Sequence, residues 1–287
     1  MQEFRARPYQ DYCINAIINH PAIGLFLDMG LGKTVSTLTA IKELKYYQFA
    51  VHKVLVIAPL KVAETTWTDE MEKWAHLHSL RASKILGTVK ERKAAINAEA
   101  DVYIINRENV TWLVDYLQHD WPFDMVVIDE SSSFKSWKAK RTKSLMRIRP
   151  RISRVVALTG TPSPKGLEDL WSQVYLLDEG ERLGKNITAY RTRYFDRIPT
   201  YWGAEYRAKD GAREAITKKL SDICISMKSE DYIQLPPMLD NDIHISLDAK
   251  ALSAYKKMER EQVLVLDEDT ITAASAASVT QKLLQLS

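Results

Sequence analysis

Cysteine is scarce: Cys13 and Cys224 are the only two in 287 residues, far apart and outside any C-x-x-C pair. That argues against a disulfide scaffold and a zinc site, and it suits a reducing compartment. The six histidines are scattered, and His76 and His78 alternate in a polar stretch that does not read as a metal site. Every apolar run falls far short of the ~20 residues needed to cross a bilayer. The opening "MQEFRARPYQ" has no apolar signal core. The chain is therefore expected to be soluble and cytoplasmic (in a host cytoplasm if viral), with no membrane partner. An excess of one charge is lacking too. With 40 Lys+Arg against 37 Asp+Glu, a formal +3, the balance neither demands nor excludes nucleic acid.

What is present suits a packed globular core: 46% hydrophobic and 9% aromatic residues. The length exceeds the usual domain of about 100–200 residues, which implies one large α/β domain or two lobes. Short apolar runs recur at 23–27, 53–59, 101–106, 124–130 and 154–162. Their β-branched content and length of about five predict strands buried on both faces. Helix-like stretches such as 34–47 and 64–78 lie between them, so βαβ crossovers and a mostly parallel sheet flanked by helices are expected. Asp28–Thr34, Pro59–Lys61, Asp129-Glu130 and Thr159–Pro162 each follow a run directly. Such strand ends are where α/β sheets bind ligands.

The segment "LFLDMGLGKT" (25–34) ends as a phosphate-binding loop does, in Gly32-Lys33-Thr34, but Leu27 stands where the strict pattern has its first glycine. Gly30 and Gly32 leave the backbone free to wrap an anion, and a helix starting near Lys33 would point its positive end at it. Met29, Gly30, Leu31, Gly32, Lys33 and Thr34 are the candidate nucleotide-binding loop. Lys33 would reach the phosphates, and Thr34 with Asp129 would hold Mg2+. Glu130 can act as general base toward water. A lone Asp-Glu pair after a strand is commonly a solvated turn; a phosphate loop upstream weakens that bland reading.

"RPYQ", "LDMGLGKT", "LVIAPLKVAETTWTDEMEKW", "YIINREN", "VVIDESSSFKSWKAKRTKSL" and "VVALTGTPSPKGLEDLWSQVYLLD" follow one another across roughly residues 5–178. In order and spacing they resemble motifs Q, I, Ia, Ib, II and III of the superfamily-two helicases, in detail the Swi/Snf-like branch, and a phage or prokaryotic type fits. In that branch the leading glycine is routinely replaced. "KSEDYIQLPP" (228–237) resembles a later segment more weakly. The resemblance implies a RecA-like P-loop NTPase domain that hydrolyses ATP with Mg2+. Gln10 matches the glutamine that reads adenine. Lys33, Thr34, Asp129 and Glu130 match the phosphate, magnesium and base positions. Thr159, Gly160 and Thr161 match the motif that couples nucleotide to nucleic acid. Ser131-Ser132 departs from the Ala-His of many relatives, and Ile225-Ser226 stands near an arginine pair of theirs.

The expected partner is nucleic acid, double-stranded DNA foremost. Lys61, Thr65, Thr66, Asn106 and Arg107 lie in segments that in the family touch one strand's backbone. Residues 135–154 hold nine Lys/Arg and no acid. They are either a solvated helix face or, beside the hydrolytic pair, a phosphate track beginning with Lys135, Lys138, Lys140 and Arg141. Trp67 and Trp74 could stack on bases, but a spacing of seven favours the core. The expected organisation is an ATP-binding core at 1–177, a helical excursion at 178–235, and at 236–287 the end of the first domain and a truncated lead-in to a second RecA-like domain. That second domain, with its arginine finger, is expected to lie outside this stretch, leaving residues 1–287 nearly inactive alone. The leading function is a DNA-dependent ATPase that translocates on duplex DNA. A strand-separating helicase and a nucleotide-gated binding module with negligible turnover are the alternatives.

Overall fold

The computed structural model describes residues 2–163, 166–200, 203–232, 252–253, 255–256, 263–266 and 269–272. The apolar runs become strands β1 (Ala22–Leu27), β2 (Val54–Ala58), β4 (Val102–Asn106), β5 (Met125–Asp129) and β6 (Arg154–Thr159). Two more strands, β3 (Ala82–Ile85) and β9 (Cys224–Met227), complete a seven-stranded sheet in the order β3-β4-β2-β5-β6-β1-β9. Every neighbouring pair is parallel.

Inner strands of such a sheet are covered on both faces, which is why they read as unbroken apolar runs. Successive residues supply opposite cores. Leu55, Ile57, Tyr103, Ile105, Val126 and Ile128 join one cluster, and Val54, Val56, Val102, Ile104, Met125 and Val127 the other. Each such side chain is worth about 1.5–3 kcal/mol when fully buried. The second cluster is closed by α1 (Pro8–Asn19), α2 (Lys33–Lys42) and α3 (Trp67–Lys73). The first is closed by α4 (Val89–Asn97), α5 (Val110–Leu117), α6 (Lys140–Ile148) and α7 (Leu170–Asp178). The mostly parallel, helix-flanked sheet expected from the runs is the fold. The edge strand β3, with the sequence "ASKI" and mostly open to solvent, carried no apolar run to betray it.

Both long helical expectations end differently. α2 continues as a π-turn, Glu43–Tyr47, and α3 is preceded by another, Val62–Thr66. The expected helical excursion does contain α8 (Ile187–Tyr194) and α9 (Ala212–Leu220). Between them stands an antiparallel hairpin of β7 (Phe195–Thr200) and β8 (Gly203–Ala208), and β9 then rejoins the main sheet beside β1. One compact unit spans Met1–Gln234 and a second Leu235–Ser287. In the second, β10 (Val263–Leu266) pairs antiparallel with β11 (Asp269–Thr272). The sequence also predicts extended or turning chain at the proline pair of "QLPPM" (234–238), a short apolar run at 242–247 and an amphipathic helical pattern at 279–287, and all three lie outside the described residues.

The sheet order does the positioning. β1 lies beside β6, although the two are distant in sequence, and β6 lies beside its predecessor β5. The loop after β1, Asp129-Glu130 after β5 and Thr159–Thr161 after β6 therefore leave adjacent strand ends.

Candidate functional site

Gly30 and Gly32 adopt φ of 84° and 74°, the left-handed region that costs a side-chain-bearing residue about 1–2 kcal/mol. Gly32 caps the start of α2, and a Cβ there would collide with the Gln10 amide. The loop, Gln10, Thr34 and Asp129 share a cleft of ≈ 850 Å³, whose far wall includes Phe4, Glu70 and Trp74. Met29 stands almost wholly exposed at its mouth. Leu31 does not line the cleft; its fully buried side chain anchors the loop in the core.

Lys33 Nζ donates to the carbonyls of Leu27 at 2.6 Å and Asp28 at 3.0 Å. Burial pushes its ammonium below the usual lysine range, while the charges of Asp129, Glu130 and Asp28 pull the other way. Asp28 also ties the loop to the chain after β9, accepting from Ser229 N–H at 3.0 Å and Oγ at 3.4 Å. That contact uses the segment at 228–237 whose family resemblance is the weaker one. Ile225 and Ser226 lie within β9, in register with Leu25 and Phe26.

Asp129 ends β5 with its Oδ2 accepting from Trp67 Nε1 at 3.0 Å. Burial holds its carboxyl above the ordinary range; the Trp67 bond opposes that shift. Glu130 takes a left-handed conformation, φ 54°. Its Oε1 accepts from Thr159 Oγ1 at 2.9 Å and, over a short contact, from Ser132 Oγ. The Thr159 hydroxyl, itself buried, accepts from Thr161 N–H at 3.1 Å, so its single proton is committed to Glu130. Gly160 backs onto the Leu27 carbonyl. Ser131 turns away and donates to Gln173 Oε1 at 3.0 Å, whose amide nitrogen donates to the carbonyls of Pro162 and Asp169 at 2.6 and 2.8 Å. Through Gln173, Ser131 thus ties the turn after β5 to the loop after β6 and to α7.

Trp67 and Gln173 are site residues that sequence reasoning passed over. Its spacing of seven from Trp74 marks Trp67 as a packing or stacking residue, and a hydrogen bond from its indole N–H has no sequence signature. Gln173 lies inside the quoted "LWSQVYLLD", but nothing in its spacing points to Ser131. Trp74 walls the cleft, donating to Glu70 Oε2 at 2.7 Å beneath the Lys73 ammonium, which lies 4.7 Å from its ring centroid.

The candidate nucleic-acid residues divide. Lys61, just before the π-turn that precedes α3, and Thr65 within it are exposed, whereas Thr66 lines the cleft that holds Lys33 and Thr34. Asn106 is buried and tied to Glu108 and Asn109, and Arg107 pairs with Glu108 at 2.9 Å. Of the nine cations at 135–154, four serve the fold. Arg149, buried, donates to the carbonyls of Leu176, Ile152 and Leu177 at 2.6–2.8 Å. Arg154 binds carbonyls at the end of α1, Arg151 those of Gln118 and His119, and Arg147 pairs with Asp115. Lys135 lies 3.6 Å from Asp169, and Arg141 donates to the Ser133 carbonyl. Lys138, Lys140 and Lys143 are exposed, with no ion pair among the described residues.

A magnesium ion fits the donors present. Thr34 and Asp129 offer a hydroxyl and a carboxylate to one cleft, hard oxygen ligands of the kind that hold this ion together with substrate phosphates. Among the described residues no helix is long and apolar enough to cross a membrane.

The SNF2-related domain family matches residues 17–287. Protein p41 of Acyrthosiphon pisum secondary endosymbiont phage 1 is 40% identical over 294 aligned residues, covering 100% of this chain and 64% of its own length. The Bos taurus DNA annealing helicase and endonuclease ZRANB3 is 28% identical over 248 residues, covering 81% of this chain and 22% of its own. The solved Sulfolobus solfataricus SWI2/SNF2 ATPase core, in complex with dsDNA, superimposes with a TM-score of 0.63 at 21% identity, over 99% of this chain and 58% of that one. The chain therefore spans less than two thirds of the relatives it matches.

Proposed function

The chain belongs to the SNF2-related family of helicase-like ATPase domains, and from that premise we propose that it binds and hydrolyses ATP to drive movement along double-stranded DNA. The observation that carries this reading is the placing of Lys33 and Thr34 beyond β1 and of Asp129 and Glu130 at the end of β5, on either side of β6, with Glu130 hydrogen-bonded to Thr159 of β6. Gln10 reads the adenine edge beside the loop. The N–H groups of the glycine-rich loop and the start of α2 cradle the phosphates. Lys33 exchanges its Leu27 and Asp28 carbonyls for β- and γ-phosphate oxygens. Thr34 and Asp129 would hold a magnesium ion, which would supply positive charge against the phosphates. Glu130 orients a water and takes its proton at Oε2, the oxygen left over by Thr159 and Ser132. The water oxygen bonds to the γ-phosphorus as the bond to the β,γ-bridging oxygen breaks, releasing ADP and phosphate.

Thr159 and Thr161 would relay strain between this base and a DNA track formed by Lys61, Thr65, Lys135, Lys138, Lys140 and Arg141. Support for duplex DNA comes from the Sulfolobus core, which was solved on it. A second RecA-like domain, closing over the nucleotide, would add the arginine charge that is worth roughly 10³–10⁵ in turnover in nucleotide hydrolases. The work would be done in the cytoplasm.

The test is ATPase rate in a form long enough to include that second domain, measured with duplex DNA, single-stranded DNA and RNA. Stimulation by duplex, with residues 1–287 alone nearly inactive, is the expected result. Preferential stimulation by a single strand with unwinding would favour a strand-separating helicase. Nucleotide binding without turnover would leave a gated binding module. Robust DNA-stimulated hydrolysis by residues 1–287 alone would overturn the two-domain mechanism.

A further inference from the structure

Trp67 begins α3 directly after the Val62–Thr66 π-turn, and its ring is fully buried in the core between that helix and the sheet. The indole has one polar atom, Nε1, which can only donate. Buried donors are placed where an acceptor waits. Here the acceptor is Asp129 Oδ2, 3.0 Å away. A carboxylate at a strand end can otherwise turn about its terminal torsion, which is broad and roughly two-fold. The rigid indole restricts that freedom by claiming Oδ2, while the carboxylate also lines the cleft that Asp129 shares with Thr34.

We infer that Trp67 is a positioning residue for the magnesium ion: its indole N–H fixes the plane of the Asp129 carboxylate so that one set oxygen meets the metal. The inference rests on the ATP–magnesium reading above. Partners of this outer kind hold metal ligands in register, and losing one typically costs 10–100-fold in metal affinity. Core packing alone predicts nothing of the sort.

The experiment is calorimetric titration of ADP into the chain at a series of Mg2+ concentrations, and again in EDTA. Trp67→Phe keeps a buried ring and deletes the donor. Replacing Trp67 by β-(3-benzothienyl)alanine, in which sulfur takes the place of the N–H, keeps nearly the whole shape should the phenyl variant fold poorly. For either, the Mg2+ concentration giving half of the metal-dependent gain in ADP affinity should rise about 10–100-fold. Affinity in EDTA should stay unchanged. Met71→Ala, a cavity one turn further along α3 in the same core, should lower the melting temperature and leave the magnesium requirement alone. A wild-type magnesium requirement in the benzothienyl variant would overturn the inference, as would an equal shift in Met71→Ala. A wild-type chain whose ADP binding ignores Mg2+ would instead overturn the nucleotide–magnesium reading itself.

Discussion

The nine cations between Lys135 and Arg154 form one basic stretch in the sequence and two populations in space, and these should respond oppositely to substitution. Lys138, Lys140 and Lys143 are exposed and unpaired among the described residues. Replacing all three by Gln should leave stability within about 0.5 kcal/mol, as is usual for surface changes. If each neutralises one DNA phosphate, the slope of log K against log salt should become shallower by up to about 2.7, at ~0.9 per phosphate. Between 50 and 200 mM salt, that removes roughly 40-fold of the affinity loss. Arg149 is the contrary case. It is 8% exposed, and its guanidinium closes three carbonyls at 2.6–2.8 Å where α7 ends. Its charge is costly to bury, and burial pushes its pKa down despite Glu179 and Asp178. Arg149→Met recovers that cost but strands three acceptors, and a loss of about 3–5 kcal/mol is expected. At 2–4 °C per kcal/mol for a domain of this size, the melting temperature should fall on the order of 10 °C. The salt slope of the folded protein should not change. Circular-dichroism melts and fluorescence anisotropy with a labelled duplex read both quantities. A normal melt for Arg149→Met with a shallower slope, or an unstable lysine triple variant with an unchanged slope, would refute this division.

Three further outcomes are expected. Burial raises the Asp129 carboxyl, so between its unfolded and folded values the native state holds the proton more tightly and stability falls as pH rises through that window; above it the ionised form is a net cost. Asp129→Asn should therefore melt higher than wild type at neutral pH, with the difference shrinking toward acid, while losing magnesium-dependent nucleotide binding; a lower melt at neutral pH would contradict the burial argument. In a form with both RecA-like domains, Lys33→Ala should abolish productive ATP binding. Glu130→Gln should keep binding and cut turnover by on the order of 10²–10⁴, and an active Glu130→Gln enzyme would place the base elsewhere. If Gln10 reads adenine, ATP and ADP should bind well ahead of GTP with magnesium present, and Gln10→Ala should erase the preference; equal affinities in the unaltered chain would sink the assignment.

Much of this was legible in the chain because it is local. A run such as "MVVID" can bury both faces only as an inner strand of a parallel sheet, and "MGLGKT" bends backward only where Gly30 and Gly32 permit a positive φ. Strand identity, the left-handed turns at Gly30 and Gly32 and the strand-end place of Asp129-Glu130 thus followed from period, composition and backbone freedom, and the family resemblance from the order of the motifs. β3 escaped because an edge strand with one open face need not be apolar, and the hairpin β7–β8 because its exposed arms have no core face to mark them. What the linear chain could not express is adjacency. The insertion of β6 and β5 between β1 and β2 puts Thr159 against Glu130, and the packing of α3 brings the Trp67 indole to Asp129. Tertiary contacts elsewhere set Arg149 and Arg154 against the carbonyl ends of α7 and α1. A cation's sequence neighbours give its charge density, but its role depends on which unsatisfied carbonyl or open solvent the tertiary structure places before it.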